Sequence, residues 1–474
     1  MILNDMLDQS FSAHNIETIY CLESRRGNID IHSMPEQYRD ILTRSEELKR
    51  EITSLKQKKG KTQEDLSIIK NKREEYKRLV GLKKDVLCEY LATLEHDINK
   101  PGFKFKLRSY TTSENKEVFT LDTPTHAHLF AIKQLQYNIR HAFKVKQDNR
   151  HSILTNIKAF LNSNIPVYII RTDISKFYES IPQDKLKRMI LDNTLLSNKS
   201  KSFISGILVE YENVKDATLA APMHGVPRGI GISSYLSELY MRNIDSEISS
   251  RREVMFYARY VDDIFIILSS LPSGKNLGDY YADITDLFQK NALSLKQPQD
   301  PSGKCRIIDF TQDNHTESSM NYLGYSLYMS RNKEHLSTTF GLSDKKKDRY
   351  CKKIDKAITH FETLSKCNIK QAYQDLFDSL NIITGNFKLF KSKSGVKVGL
   401  YYHNDLLDCL NDLDELTNYL RKHTINPYVG LKDCDVIKAK IEKRIANIDF
   451  KQRWLDRKMF TFNIHRIQEI EKWL

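Results

Sequence analysis

Val254-Met-Phe-Tyr-Ala-Arg-Tyr260-Val-Asp262-Asp263-Ile-Phe-Ile-Ile-Leu268 is the stretch on which the fold turns. Apolar and β-branched residues on both sides of two adjacent acids predict two strands joined by a tight turn. Asp262 and Asp263 fall at its tip. Carboxylates so close repel each other, and a cation between them relieves the repulsion. A divalent metal held by carboxylates is the natural cation, and phosphoryl transfer is its natural use. Turns favour Asp for conformational reasons too, so the pair alone leaves an ordinary surface turn open.

Upstream, Pro166-Val-Tyr-Ile-Ile-Arg-Thr-Asp173-Ile-Ser-Lys-Phe-Tyr-Glu-Ser-Ile-Pro182 predicts an apolar strand ending at Asp173, a turn, and a helix from Pro182. An Asp after a strand is commonly a cap or turn residue. Taken with the downstream pair it makes three carboxylates on two strands, a set suited to two metals.

Four motifs then follow one another over residues 166–325: Asp173-x-x-x-Phe177-Tyr178, Gly225-Val-Pro-Arg228-Gly229-x-x-x-Ser233, Tyr260-Val-Asp262-Asp263 and Tyr322-Leu-Gly324-Tyr325. In order and spacing they resemble the palm motifs of reverse transcriptases. The resemblance implies an α+β right-hand polymerase with fingers, a palm built on an antiparallel sheet, and a helical thumb. Its parts would be a helical amino-terminal extension over 1–100, fingers over 101–165, a palm over 166–342 with a finger insertion at about 184–225, and a thumb and C-terminal region over 343–474.

Site roles follow from the same resemblance. Asp173 and Asp262 would hold two Mg²⁺ ions, with Mn²⁺ as a substitute, Asp263 in support and Ile174 in the metal set. Lys304 resembles the family lysine that protonates departing pyrophosphate, although a plain turn lysine fits as well. Phe177, Tyr178, Arg228 and Gly229 would contact the nucleotide, and Tyr260, Tyr322 and Gly324 the primer and template. The Gly225–Gly229 segment would form the floor beneath the nucleotide, with Ser233-Ser234 capping the next helix. RNA-making relatives of this plan usually carry a polar residue five positions after the first acid. Tyr178 stands there instead and resembles the steric gate of DNA-making enzymes, excluding a 2′-hydroxyl by clash. Arg228 departs from the pattern, since many relatives have Gln there; its charge suits a phosphate or a stacked base.

The chain has 474 residues, room for two to four domains. No apolar run approaches the length of a membrane span, and the start lacks the plan of a secretion signal. Seven scattered cysteines without Cys-x-x-Cys spacing argue for reduced thiols in a cytoplasm and against zinc. A net charge of +13 suits a polyanionic partner.

Residues 35–100 read as two antiparallel amphipathic helices broken near Gly60, with Leu48, Ile52, Leu55, Leu66, Ile69, Tyr76 and Leu79 on their apolar faces. Residues 102–121 alternate as a hairpin that resembles a fingers hairpin, making Arg108 and Lys116 candidates for triphosphate contact. Residues 126–162 and those from Ser343 onward read as helices, the latter basic, while 384–401 read as a basic loop that breaks the pattern.

In overall plan the chain resembles the bacterial antiviral, defence-associated reverse transcriptases called the unknown group. That implies an RNA template, often a dedicated non-coding RNA, deoxynucleoside triphosphates as substrates and DNA as product. It also implies homo-oligomers, sometimes a second reverse transcriptase subunit, and no membrane. A retron-type or group II intron-derived enzyme, and a non-catalytic RNA-binding scaffold, are the alternatives.

Overall fold

In the computed structural model the described residues are 7–474, apart from 59, 61, 113–115, 217–220, 312–315, 333–334, 389–395 and 424–433. The chain divides into two units, Met1–Gln147 with Lys176–Asn243, and Asp148–Ser175 with Ile244–Leu474. Helix Ile232–Ser249 contributes residues to both.

The first unit opens with helices Ala13–Arg26, Glu36–Gln57 and Gln63–Asn99. The last two pack against each other, as the apolar spacing predicts. Thr62 and Asp65 form a capping box that starts the long helix cleanly after the break. Leu48, Ile52 and Ile69 are buried along the pair, whereas Leu66 is exposed one turn before the buried stripe begins. Strands β1 (Leu107–Thr111) and β2 (Glu117–Leu121) pair antiparallel with Leu107 opposite Leu121. Helices His126–Phe143, Gln183–Leu191 and Asn198–Val214 also belong to this unit. A buried polar chain ties two of them: the Gln134 amide donates to Asn138 Oδ1 at 2.9 Å, and the Asn138 amide donates to Ser200 Oγ at 3.0 Å.

The second unit is built on a four-stranded sheet. Its strands are β3 (Tyr168–Asp173), β4 (Val254–Tyr260), β5 (Asp263–Leu268) and β6 (Arg306–Asp309), in the spatial order β4-β5-β3-β6, with every neighbour antiparallel. Ile264–Leu268 are all buried, as a continuous apolar run in a covered central strand should be. A second antiparallel sheet, β7 (Thr316–Tyr322), β8 (Tyr325–Asn332) and β9 (His335–Leu342), shares a core with the first through Phe265, Tyr322, Leu327 and Phe340.

Helices Asp344–Leu364, Ile369–Thr384 and Asn411–Lys422 follow, around a core that includes Phe361, Leu376, Leu413 and Phe450. The segment read as a loop at 384–401 contains two strands among its described residues. β10 (Asn386–Lys388) pairs antiparallel with β11 (Lys397–Gly399) and parallel with β12 (Met459–Phe460). Phe387, Phe460 and Phe462 pack together there, which explains why basic residues interleaved with apolar ones form strands at this point. Residues 389–395 of that segment lie outside the described set. Among the described residues no helix is long and apolar enough to cross a membrane.

Candidate active site

Register places the three acids. In the β3/β5 pairing Asp173 stands opposite Asp263, and in the β4/β5 pairing Tyr260 stands opposite Asp263. The turn is therefore Val261-Asp262, and Asp263 is the first residue of β5. Val261 has φ +60, a left-handed conformation unfavourable for a β-branched residue, which marks the turn as held by its surroundings. The Ile174 N–H donates to the Asp262 carbonyl at 3.0 Å, locking the end of β3 to the turn. Carboxylate oxygens of Asp173, Asp262 and Asp263 then lie within 4.8 Å of one another.

Basic groups offset this charge. Lys304 Nζ lies 2.9 Å from both carboxylate oxygens of Asp173. Arg171, buried two residues before Asp173, donates from Nη2 to Asp263 Oδ1 at 2.6 Å and from Nη1 to the Lys304 carbonyl. Burial pushes the Asp263 carboxyl up to about 6; Arg171 opposes this, while Asp262 and Asp173 add to it. Arg259, also buried, grips Asp245 from Nε at 2.9 Å and from Nη2 at 2.7 Å, and donates from Nη1 to the Val261 carbonyl at 2.9 Å. It thus fastens the turn from behind.

A set of hard oxygen donors converging from two strands is the donor chemistry of Mg²⁺ or Mn²⁺, and the three residues fit such an ion. Lys304 supplies the positive charge beside Asp173. Arg171 and Arg259 were missed in the sequence. The available signal was an arginine inside each apolar strand flanking the acids, where a buried position allows a charge only if it is paired.

The other expected site residues are placed as follows. Ile174 is buried directly after Asp173. Tyr260 ends β4 beside the turn, half-buried. Tyr322, expected at the primer, is buried: it is 1% exposed and its ring packs on Phe265. Gly324 has φ +81 in the Tyr322–Tyr325 turn, where a Cβ would lie 2.9 Å from Arg150 Nη2.

In the first unit Phe177 is likewise buried, whereas Tyr178 is half-buried. The Arg228 guanidinium lies over the Tyr178 ring at 5.2 Å and pairs with Glu179 at 2.8 Å from Nη2, so the charge expected to grip a phosphate is already engaged. Gly229, expected in the nucleotide floor, lies against β2. Its φ is +101, and a Cβ there would meet the Phe119 carbonyl at 2.5 Å. Ser233 does not cap: it lies inside the helix, and its hydroxyl donates to the Pro227 carbonyl at 2.7 Å. Arg108 and Lys116 are exposed on the β1/β2 hairpin, whose 113–115 tip is outside the described residues.

Residues 98–327 match the family described as reverse transcriptase (RNA-dependent DNA polymerase). These residues are a reverse transcriptase domain. The activity of the chain is accordingly RNA-directed DNA polymerisation, a nucleotidyl transfer. The reverse transcriptase domain includes all three carboxylates and Lys304. Among solved structures, apo telomerase from Candida tropicalis truncated from its C-terminal domain is similar at 14% identity and TM-score 0.34, over 72% of this chain and 84% of that one. Telomerase from Candida albicans in complex with a TWJ fragment of telomeric RNA is similar at 12% identity and TM-score 0.31, over 67% of this chain and 56% of that one. No curated protein was found to match.

Proposed function

We propose that the protein copies an RNA template into DNA from deoxynucleoside triphosphates using Mg²⁺. The observation that carries this is the convergence of Asp173, Asp262 and Asp263 within the reverse transcriptase domain. Bound between them, a Mg²⁺ pair would lower the pKa of a primer 3′-hydroxyl and stabilise the leaving pyrophosphate. Asp173 and Asp262 would hold the metals, while Asp263, kept by Arg171, supplies a third oxygen donor. Lys304, released from Asp173, becomes a cation available to the departing phosphate. In this reading the sheet that carries the acids is the palm, the β1/β2 hairpin belongs to the fingers, and the helices from Asp344 are the thumb.

The biological setting we propose is bacterial antiviral defence, with a dedicated non-coding RNA as template, in a cytoplasm. What supports it is the plan of the chain: helices over 13–99 ahead of the hairpin, and the basic helix Asp344–Leu364 after the sheets. The direct test is primer extension by the purified protein with Mg²⁺ and deoxynucleoside triphosphates. Asp262→Asn should lower turnover by a factor of about 10³ or more, since it removes a charge the transition state depends on. Its far-ultraviolet circular dichroism should be unchanged. Extension by Asp262→Asn at the wild-type rate would refute the assignment. Sequencing the nucleic acid that copurifies tests the template: a single recurrent RNA is expected, and a random cellular population would argue against a dedicated one.

A further inference from the structure

Away from the carboxylates, the second unit contains a cavity of about 960 Å³. One wall is the helix Asp344–Leu364, which presents Lys346, Arg349 and Lys353 to it. Spacings of three and four put these cations on one helix face, where like charges destabilise one another unless an anion lies among them. Arg150 joins them from helix Arg150–Leu161, and Arg150 and Lys346 both lie over the Tyr325 ring, at 6.0 and 4.6 Å.

The neighbouring face of the same helix is treated differently. Lys347 has Glu415 at 3.1 Å, Asp412 at 3.4 Å and Asp344 at 3.7 Å. Among the described residues no carboxylate forms an ion pair with Arg150, Lys346, Arg349 or Lys353. Two acids do line the cavity: Asp405, which lies 3.4 Å from His151, and Glu471. Burial, with Arg150 and Arg349 nearby, brings the Lys346 ammonium down to about 7, and Asp405 only partly opposes this. Asp405 beside Lys346 and Glu471 beside Lys353 offset only part of this positive charge, and the Lys346 ammonium also donates to the His403 carbonyl at 3.0 Å.

Phe387, Val398 and Ile467, which belong to one apolar cluster, also line the cavity. A duplex backbone is held through contacts to phosphate and sugar and makes no use of an apolar recess. A fatty acid would need one long apolar tunnel rather than a row of cations. A flat ring carrying a phosphate meets both groups, and the volume falls in the range of small-ligand sites. We propose that this cavity binds a nucleotide, its phosphate against Lys346, Arg349 and Lys353 and its base on the Phe387, Val398 and Ile467 side. The nucleotide comes either free or as the 5′-phosphorylated end of a strand.

The test uses the full chain carrying Asp262→Asn, in EDTA, so that no metal-bound nucleotide occupies the carboxylate site. Isothermal titration compares AMP, adenosine, inorganic phosphate, and a short oligothymidylate with and without a 5′-phosphate. AMP, or the 5′-phosphorylated strand alone if the source is a strand end, should bind at least about tenfold tighter than the probe lacking its phosphate or its base. Arg349→Glu and Lys353→Glu, two substitutions outside the hydrophobic core, should each weaken that binding about tenfold with an unchanged melting curve. Photo-crosslinking of 8-azido-AMP should label residues 344–354 or 382–406 in the protein without these changes, a readout independent of variant folding. The proposal is overturned if neither nucleotide probe binds more tightly than inorganic phosphate, if Arg349→Glu and Lys353→Glu leave the affinity unchanged, or if oleate binds and the nucleotides do not.

Discussion

At the scale of single residues, the carboxylate site is a balance between three acids and two bases. Arg171 is buried and bonded to Asp263 at 2.6 Å, so Arg171→Met strands a carboxylate in a low-dielectric place. Losing one partner of such a pair costs about 3–5 kcal/mol. The melting temperature should fall by several degrees, and added Mg²⁺ should recover part of the loss by giving Asp263 a new partner; a variant as stable as the parent without metal would show that the pair is idle. The same carboxyl sets a pH dependence. Its pKa is raised from the ordinary 3.8 to about 6, so between those values the unfolded chain ionises while the folded, metal-free chain keeps its proton. The contribution of this group to stability is therefore complete below pH 3.8 and is lost as pH rises through 6. Metal binds the ionised form, so Mg²⁺ should raise the melting temperature clearly at pH 7.5 and little at pH 5, and equal shifts at both would remove Asp263 from the metal set. Tyr178 is a separate case. If its ring is the proposed sugar gate, Tyr178→Val should raise ribonucleotide incorporation relative to deoxynucleotide by at least about tenfold, the effect of about 1.4 kcal/mol of lost discrimination. Unchanged sugar selectivity would leave the tyrosine as a support for Arg228 alone.

At the scale of elements, the sequence told most where one local pattern sufficed. The hairpin around Asp262, the strand ending at Asp173 and the paired helices before residue 100 each follow from apolar periodicity read over about ten residues. Partners distant in the chain were not legible. Arg259 looks like a strand residue until Asp245 is seen to hold it, and Tyr322 looks like part of a ligand motif until Phe265 is seen to bury it. Gly229 shows the difference most plainly. A glycine in a nucleotide-binding motif suggests room for a ligand, yet its missing side chain makes room for β2. The Phe119 N–H donates to the Arg228 carbonyl at 2.7 Å, and a Cβ on Gly229 would press on the Phe119 carbonyl and on Val118. Gly229→Ala should therefore cost about 1–3 kcal/mol, the scale for a strained left-handed residue, and loosen the β1/β2 hairpin. Hydrogen exchange at 117–121 should quicken in that variant. If exchange there stays unchanged while nucleotide affinity falls, the glycine belongs to the ligand and not to the strand.

At the scale of the whole chain, the division between units falls between Ser175 and Lys176, inside the motif that runs from Asp173 to Tyr178. The three carboxylates, Arg171 and Lys304 all belong to the second unit, and Tyr178, Arg228 and Gly229 to the first. No pattern in the sequence marks that boundary, because a unit is defined by which distant segments pack together, and six consecutive motif residues look continuous on paper. On the proposed reading the partition separates two tasks, holding metal and selecting the nucleotide, and metal binding belongs to one unit. Metal enters the linkage only through groups that touch it, and the stabilisation it confers grows with its concentration over its dissociation constant. In the absence of nucleotide, Mg²⁺ or Mn²⁺ should therefore slow hydrogen exchange in β3 and β5, residues 168–173 and 263–268, whose ends carry the acids. The β1/β2 hairpin, residues 107–121, should exchange as before. Adding a deoxynucleoside triphosphate together with the metal should then extend protection to the neighbourhood of Tyr178 and Arg228. Protection of the first unit by metal alone would mean that the two tasks are coupled before any substrate arrives, and that the boundary after Ser175 does not separate them.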